Sequence, residues 1–255
     1  MSKKCEACKD GVEFPFELRT AFQPIVDVES ARPYSYEALV RGSAGQTAGE
    51  ILSCVTEETR YAFDQACRVN AIRDAVKAGL LETDAKLSVN FLPSAVYSPM
   101  ACLRLTLQTA VETGMPTSRL IFEFTENQRL DTVHVREILR AYRSLGFTTA
   151  IDDFGNGHAG LGLLADLATD ALKLDMYLIR NIDTCSRRPT IVKSVIELCR
   201  ELDVLLVAEG IETEAEFETL KNLGIRYMQG HLFAAPEIGV LPTIDVRMTE
   251  RLAAA

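Results

Sequence analysis

The chain has 255 residues, of which 27 are Lys or Arg and 36 are Asp or Glu, so its formal net charge at pH 7 is -9. Such an acidic chain is poorly suited to bind a DNA or RNA polymer or an anionic membrane surface directly. No apolar run approaches the roughly 18 residues that span a bilayer, and the amino terminus lacks the apolar stretch of a signal peptide. Seven scattered cysteines are typical of a reduced protein, so we expect a cytoplasmic location. To bind an anionic substrate, such a chain would need additional positive charge in its binding site, and metal ions are the obvious source.

Short apolar, β-rich segments recur along the chain, and most of them end on a polar residue. The eight candidate strands cover residues 20–27, 34–41, 86–90, 120–126, 148–153, 171–175, 204–209 and 226–229. Residues 29–33, between the first two strands, are too few for a crossover. These two strands therefore form a hairpin, and one strand must run antiparallel to the rest.

Helical patterns separate the later strands. Residues 133–145 repeat their apolar side chains at helical spacing and are followed by Gly146, a favourable residue just after a helix. Thr213 and Glu216 form a capping box that opens a helix closed by Gly224, and residues 50–78 are long enough for two helices. This alternation of strands and helices predicts an α/β protein with a closed (β/α)8 barrel, for which about 250 residues suit a single domain.

Both ends of the chain lie outside the predicted barrel. We divide the chain into an N-terminal arm (residues 1–13), the barrel (residues 14–245) and a C-terminal tail (residues 246–255). The arm carries Cys5 and Cys8 as a Cys-x-x-Cys pair. A zinc site would need two further ligands from elsewhere, and a thioredoxin-like redox motif would need a βαβ setting. We favour an incidental pair on a mobile arm, with metal or redox sensing as the alternative.

Polar residues stand at the carboxyl ends of the predicted strands, where barrels of this kind carry their active sites. They are Glu37, Asn90, Glu123, Glu126, Asp152, Asp153, Lys173, Glu209 and Gln229. Carboxylates converging on one cleft repel each other unless divalent cations lie among them. Oxygen ligands without Cys or His favour Mg²⁺ or Mn²⁺ over Zn²⁺, and a pair of such ions can attack a phosphodiester. Singly, each residue could be a helix cap or a turn residue, but their shared position at one end of successive strands favours a site.

The motifs that contain these residues resemble the EAL family along nearly the whole chain. Glu37-Ala-Leu39 is the tripeptide that gives the family its name. The other matching segments are Phe22-Gln-Pro-Ile25, Ser88-Val-Asn90, Glu123-Phe-Thr-Glu126, Ile151-Asp-Asp-Phe-Gly155, Leu172-Lys-Leu-Asp175, Ala208-Glu-Gly-Ile-Glu212 and Gln229-Gly230. The resemblance implies a modified TIM barrel with one antiparallel strand. It also implies a cyclic di-GMP phosphodiesterase of bacterial second-messenger signalling, which releases linear pGpG.

The resemblance also implies roles for individual residues. One Mg²⁺ or Mn²⁺ ion would be held by Glu37, Asn90, Glu123 and Asp152, and a second by Asp152, Asp153 and Glu209. The catalytic residues would be Lys173, Glu37, Glu126 and Glu209, with Lys173 touching the attacking water and Glu126 bracing the loop after Asp153. The bound dinucleotide would be contacted by Gln23, Leu39, Arg41 and Gln229, and Gln229 would also orient Lys173. Such domains commonly form homodimers through the region around the loop after Asp153.

Three departures from the family pattern qualify this expectation. Gly155-Asn-Gly-His-Ala-Gly160 replaces the usual Gly-Thr-Gly-Tyr-Ser-Ser, Gly42 replaces the usual Trp after Arg41, and no companion cyclase or sensory segment is evident. The alternatives are a catalytically silent cyclic di-GMP receptor that signals through protein contacts, and a phosphodiesterase for another nucleotide. We favour the enzyme, since receptors of this kind usually lack a metal ligand or the lysine and here every such position is filled.

Overall fold

The computed structural model describes residues 14, 16–125, 131–157 and 160–253. The strands are β1 (Leu18–Asp27), β2 (Arg32–Gly42), β3 (Lys86–Asn90), β4 (Leu120–Thr125), β5 (Thr148–Phe154), β6 (Ala171–Leu174), β7 (Leu205–Ala208), β8 (Tyr227–Met228) and β9 (Glu237–Ile238). The helices are α1 (Ala48–Ser53), α2 (Arg60–Lys77), α3 (Pro99–Cys102), α4 (Arg104–Thr113), α5 (Thr132–Ser144), α6 (Gly160–Asp166), α7 (Met176–Ile179), α8 (Arg188–Glu201), α9 (Glu214–Leu223) and α10 (Val246–Ala253).

Strands β1 to β8 close into a barrel. Neighbours from β2 to β8 pair in parallel and in chain order. Strand β1 runs antiparallel to both β2 and β8 and so completes the ring. The predicted barrel with one antiparallel strand is therefore confirmed. The sequence prediction did not include β9, a two-residue exposed strand that pairs with β1 outside the ring.

The predicted helix boundaries hold where capping residues were recognised. Thr213 and Glu216 form both hydrogen bonds of a capping box, and the helix ends at Gly224 in the left-handed conformation with a φ of 92°. Helix α5 was predicted over residues 133–145 and covers Thr132–Ser144. Asp131, which was not predicted as its cap, accepts hydrogen bonds from the backbone N–H groups of Val133 and His134. Residues 50–78 form two helices, as expected, which are separated by a turn.

The barrel interior has an apolar layer beneath a charged one. Ile121, Ala150 and Ala171 pack together as a small buried cluster. Because side chains on a strand alternate between its two faces, the residues two positions farther along these strands face the same interior. Those residues are Glu123, Asp152 and Lys173. The strands therefore place charged side chains at the carboxyl end of the barrel, with a layer of apolar side chains directly beneath them in the interior.

The two ends of the chain differ from each other. Residues 1–13, with Cys5 and Cys8, lie outside the described residues. At the other end, the predicted tail contains α10, whose Met248 and Leu252 are buried in the main hydrophobic core. The domain boundaries themselves stay predictions. Within the described parts of the chain, no helix combines the length and apolar character that crossing a bilayer requires.

We expect Asp27 to make the stability of the barrel depend on pH. Its carboxylate accepts two hydrogen bonds from Arg226, at 2.9 and 2.6 Å, and so joins the end of β1 to the residue before β8. These bonds hold the pKa of Asp27 below its usual value. A group with a lowered folded-state pKa stabilises the fold above its unfolded-state pKa and loses that contribution as the pH falls through the lowered value. Asp27→Asn should therefore lower Tm at pH 7, and the difference from wild type should shrink below about pH 4. A constant Tm difference from pH 7 to pH 3 would contradict this role.

Candidate active site

Lys173 lies at the centre of the charged layer. It stands on β6 between two fully buried leucines, and its own side chain is only 1% exposed. Four carboxylates from four other parts of the barrel surround the Lys173 ammonium group. The distances from Nζ are 3.3 Å to Glu37, 2.9 Å to Glu123, 3.1 Å to Asp152 and 2.6 Å to Glu209. One buried cation therefore faces a larger negative charge than it can neutralise.

The carboxylates form two overlapping groups. Glu37, Glu123 and Asp152 each offer one oxygen, and these oxygens lie within 4.8 Å of one another. Asp152 also belongs to a second group, with Asp153 and Glu209, whose oxygens likewise lie within 4.8 Å of one another. The backbone at Asp153 has a φ of 57°, and its N–H donates to Oδ1 of Asp152 at 3.0 Å. Oxygen clusters of this spacing and charge fit hard divalent cations.

The protonation of the site follows from its burial. Burial raises the pKa of Glu123 to about 7, although Lys173 opposes the shift. Burial likewise raises the pKa of Asp153 to about 7, and the charge of Asp152 adds to the effect. The pKa of Glu209 is raised well above its usual value, mainly by burial. Burial alone would lower the pKa of Lys173, but the surrounding carboxylates together raise it well above its usual value. Lys173 thus keeps its proton, and further positive charge would be needed to ionise all the carboxylates.

A chain of amides fixes Glu37. Asn90 donates from Nδ2 to Oε1 of Glu37 at 3.1 Å, and Gln229 donates from Nε2 to Oε2 at 2.9 Å. The same Gln229 nitrogen donates to Oε1 of Gln23 at 3.1 Å, and Gln23 donates to the carbonyl of Ala234. Oε1 of Gln229 is buried without a hydrogen-bond partner among the described residues. Among the described residues, Gln229 is thus linked to Lys173 through Glu37, which lies 3.3 Å from the Lys173 ammonium group.

The remaining predicted residues lie farther from this cluster or outside the description. Leu39 and Asn90 both line a cavity of about 480 Å³ that extends from the mouth toward α1 and α2. Arg41 is half-buried, and its guanidinium donates to the carbonyl of its neighbour Val40 at 2.8 Å. Glu126 lies outside the described residues. The structure thus brings nine of the predicted residues into one connected group, namely Gln23, Glu37, Asn90, Glu123, Asp152, Asp153, Lys173, Glu209 and Gln229.

The sequence analysis did not single out a buried ion pair beside the site, between Asp64 and Arg68 on α2. The available signal was a pair of opposite charges four residues apart on a helix. Such a spacing is common on exposed helix faces, so the pattern alone did not distinguish a buried pair from a solvated one.

We expect Gly230 to be essential for packing at the mouth. A Cβ at this position would collide with the backbone of Ile211, whose N–H donates to the carbonyl of Gln229 at 3.1 Å. Gly230→Ala should therefore lower the free energy of unfolding by about 1–3 kcal/mol, as over-packing of a dense interior does. Urea denaturation would measure the change. Gly49→Ala, on α1, is the matched control because a Cβ there meets no atom within 4 Å. Gly49→Ala should not lower the stability, and a Gly230→Ala variant as stable as the wild type would show that the contact relaxes freely.

Comparison with known proteins adds family information to this geometry. The sequence model of the EAL domain family matches residues 15–236. The chain is 30% identical over 234 residues to the blue light- and temperature-regulated antirepressor BluF of Escherichia coli, covering 88% of this chain and 55% of that protein. It is 28% identical over 233 residues to the probable cyclic di-GMP phosphodiesterase PdeN of Escherichia coli, covering 86% of this chain and 43% of that protein. The chain thus spans about half the length of these curated relatives.

Solved structures are similar over most of the chain. The c-di-GMP bound form of a standalone versatile EAL protein from Vibrio cholerae O395 superposes with a TM-score of 0.89 at 45% identity, covering 93% of this chain and 99% of that one. A manganese and cyclic di-GMP complex of Klebsiella pneumoniae BlrP1 gives a TM-score of 0.82 at 32% identity, covering 89% of this chain and 58% of that one.

Proposed function

This chain belongs to the EAL domain family, and on that premise we propose that it is a metal-dependent phosphodiesterase that hydrolyses cyclic di-GMP to linear pGpG. The observation that carries the proposal is the buried Lys173 among four carboxylates at the carboxyl end of the barrel. A receptor would need neither a buried ammonium group nor two overlapping carboxylate clusters. A relative named as a probable cyclic di-GMP phosphodiesterase, and the two solved structures described above that hold this dinucleotide, support the choice of substrate.

The proposed cofactor is a pair of Mg²⁺ or Mn²⁺ ions. We assign Glu37, Asn90, Glu123 and Asp152 to one ion, and Asp152, Asp153 and Glu209 to the other. The two carboxylate groups that share Asp152 support this assignment, as does the all-oxygen ligand set. When bound, such ions supply positive charge to the phosphate oxygens and make water a stronger acid. The manganese in the Klebsiella pneumoniae complex is consistent with this choice.

Side chains of the protein itself would hold the reacting groups in position and supply charge around them. The ammonium group of Lys173 would donate a hydrogen bond to the attacking water or to a phosphate oxygen. Glu37 is held by Asn90 and Gln229, and a fixed carboxylate needs no reorganisation during the reaction. Glu209, 2.6 Å from the ammonium group of Lys173, fixes the position of that group. Glu126 is assigned the bracing role that the family resemblance implies.

The substrate would lie across the mouth. We assign Gln23, Leu39, Arg41 and Gln229 to contacts with the dinucleotide. The cavity beside Leu39 and Asn90 has mostly apolar walls that suit a flat base, and Arg41 offers a guanidinium group that could turn from the carbonyl of Val40 to a phosphate.

We further propose a homodimer through the region around the loop after Asp153. Three large apolar side chains on α6 and α7 are exposed near this loop, namely Leu161 at 63%, Met176 at 44% and Tyr177 at 60%. Apolar side chains that cluster on a surface suit a contact between subunits.

The substrate proposal is tested by offering the purified protein cyclic di-GMP and cyclic di-AMP in parallel, with Mn²⁺, and separating the products by chromatography. We expect cleavage of cyclic di-GMP alone. Comparable cleavage of both would favour a phosphodiesterase of broader specificity. Binding of cyclic di-GMP by calorimetry without cleavage would instead favour the receptor.

A further inference from the structure

Helix α2 contains a buried ion pair that is not part of the carboxylate cluster. Arg68 and Asp64 stand one helical turn apart, and their closest atoms lie 2.6 Å from each other. Their side chains are 0% and 1% exposed. Replacing a buried ion pair by apolar residues of similar volume is often neutral or stabilising. Stability alone therefore gives little physical reason for charges at these two positions.

The surroundings hold Arg68 in one orientation. Its Nη1 donates to the hydroxyl of Tyr142 on α5 at 2.9 Å. The guanidinium also lies over the rings of Phe91 and Phe122, with centroid distances of 5.5 and 5.4 Å. Such cation–π contacts are stronger in a desolvated site. Arg68 thus places a fixed positive charge beside the carboxylate of Asp64.

Asp64 in turn holds the segment that leaves β3. Its Oδ1 accepts a hydrogen bond from the backbone N–H of Leu92 at 2.9 Å. On the other side of this segment, the N–H of Phe91 donates to the carbonyl of Glu123 on β4 at 2.9 Å. The residue before Phe91 is Asn90, whose amide contacts Glu37. The exit of β3 is therefore fixed from both α2 and β4 immediately after the residue that enters the site.

We propose that Asp64, whose buried charge is balanced by Arg68, is a positioning residue that fixes the exit of β3, so that the Asn90 amide faces Glu37 and the metal site. The effect of this positioning on catalysis rests on the proposed function. The positions need a hydrogen-bond acceptor, because an apolar pair could fill the same space but could not accept the hydrogen bond from the Leu92 N–H. Supporting groups behind a metal ligand typically affect metal affinity by about 10- to 100-fold.

Two double variants separate positioning from stability. Both Asp64→Asn/Arg68→Met and Asp64→Leu/Arg68→Met remove the ion pair, but only the first keeps an oxygen that can accept from Leu92. The readouts are the NMR signals of the Asn90 side-chain amide, the hydrogen exchange of the Leu92 N–H, and Mn²⁺ affinity by calorimetry. A third variant, Arg73→Met/Glu112→Leu, removes an exposed pair of α2 and α4 with a 3.3 Å contact and serves as the control.

We expect Asp64→Leu/Arg68→Met to shift the Asn90 signals, to speed exchange at Leu92 and to weaken Mn²⁺ binding by about 10-fold or more. Asp64→Asn/Arg68→Met and the control should stay near wild type in all three readouts. Identical Asn90 signals in the two ion-pair variants would overturn the proposal, and so would rapid exchange of the Leu92 N–H in the wild type, which needs no variant. Turnover of cyclic di-GMP by the wild type is measured alongside: its absence would count against the proposed function, while the Asn90 and Leu92 signals still decide the positioning role.

Discussion

Lys173→Met should reduce the turnover of cyclic di-GMP by at least about 100-fold, in the range that losing one positioned hydrogen-bond donor costs. Methionine has a similar length and suits a side chain that is 1% exposed. The substitution removes the ammonium group that four carboxylates surround. It should leave the apolar layer of Ile121, Ala150 and Ala171 intact. We therefore expect a folded protein with little activity, measured as the initial rate of product formation.

The same variant should still bind metal ions. Removing the ammonium group leaves the carboxylates with a larger uncompensated negative charge, so Mn²⁺ should bind at least as tightly as it binds the wild type. Lys86→Met is the matched control, because Lys86 begins β3 at the opposite end of the barrel and its ammonium lies over the ring of Tyr34 at 5.3 Å. Nearly normal turnover by Lys173→Met would overturn the catalytic role of the lysine.

Asp152→Asn should have a comparably large effect through a different cause. Asp152 is the carboxylate that both groups share, so its neutralisation weakens both at once. Metal ions supply several kcal/mol of charge stabilisation to reactions of this kind, which corresponds to a turnover loss of about 1000-fold. Unlike Lys173→Met, this variant should also lose Mn²⁺ affinity in equilibrium dialysis.

The control for Asp152→Asn is Asp166→Asn. The Asp166 side chain lies at the end of α6, is 54% exposed and is 3.9 Å from Arg136. It should change neither turnover nor the number of ions bound. If Asp152→Asn bound as many Mn²⁺ ions as the wild type with unchanged affinity, the assignment of Asp152 to both ions would be wrong.

The charged layer could be predicted because parallel strands place their carboxyl ends side by side. Glu123, Asp152 and Lys173 are far apart in sequence but belong to adjacent strands, so reading the strand ends was sufficient to group them. The hairpin of β1 and β2 was predictable from the short turn between them. Gln229 follows β8 and Glu37 lies on β2, and the antiparallel strand β1 stands between these two strands. The hydrogen bond from Gln229 to Glu37 therefore reaches across β1, and the order of the strand ends in the sequence did not predict this contact.

Other features depend on contacts that no local pattern encodes. Strand β9 is only two residues long, and both residues are exposed, so it shows no alternating pattern of apolar and polar residues. No packing was predicted for residues 246–255, where Met248 and Leu252 of α10 are buried in the core. The ion pair of Asp64 and Arg68 is buried by the exit of β3 and by aromatic rings, and these contacts come from parts of the chain that are distant in sequence from α2.

The central claim is that the acidic mouth around Lys173 is a metal-dependent site for cleaving cyclic di-GMP. The most direct measurement is to strip the protein of metal with a chelator, add cyclic di-GMP, restore Mg²⁺ or Mn²⁺, and resolve the products by chromatography over time. We predict no product before the metal is restored and linear pGpG afterwards. If cyclic di-GMP stayed intact with either metal, under conditions where calorimetry shows that it is bound, the proposed phosphodiesterase activity would be contradicted and a cyclic di-GMP receptor would be favoured.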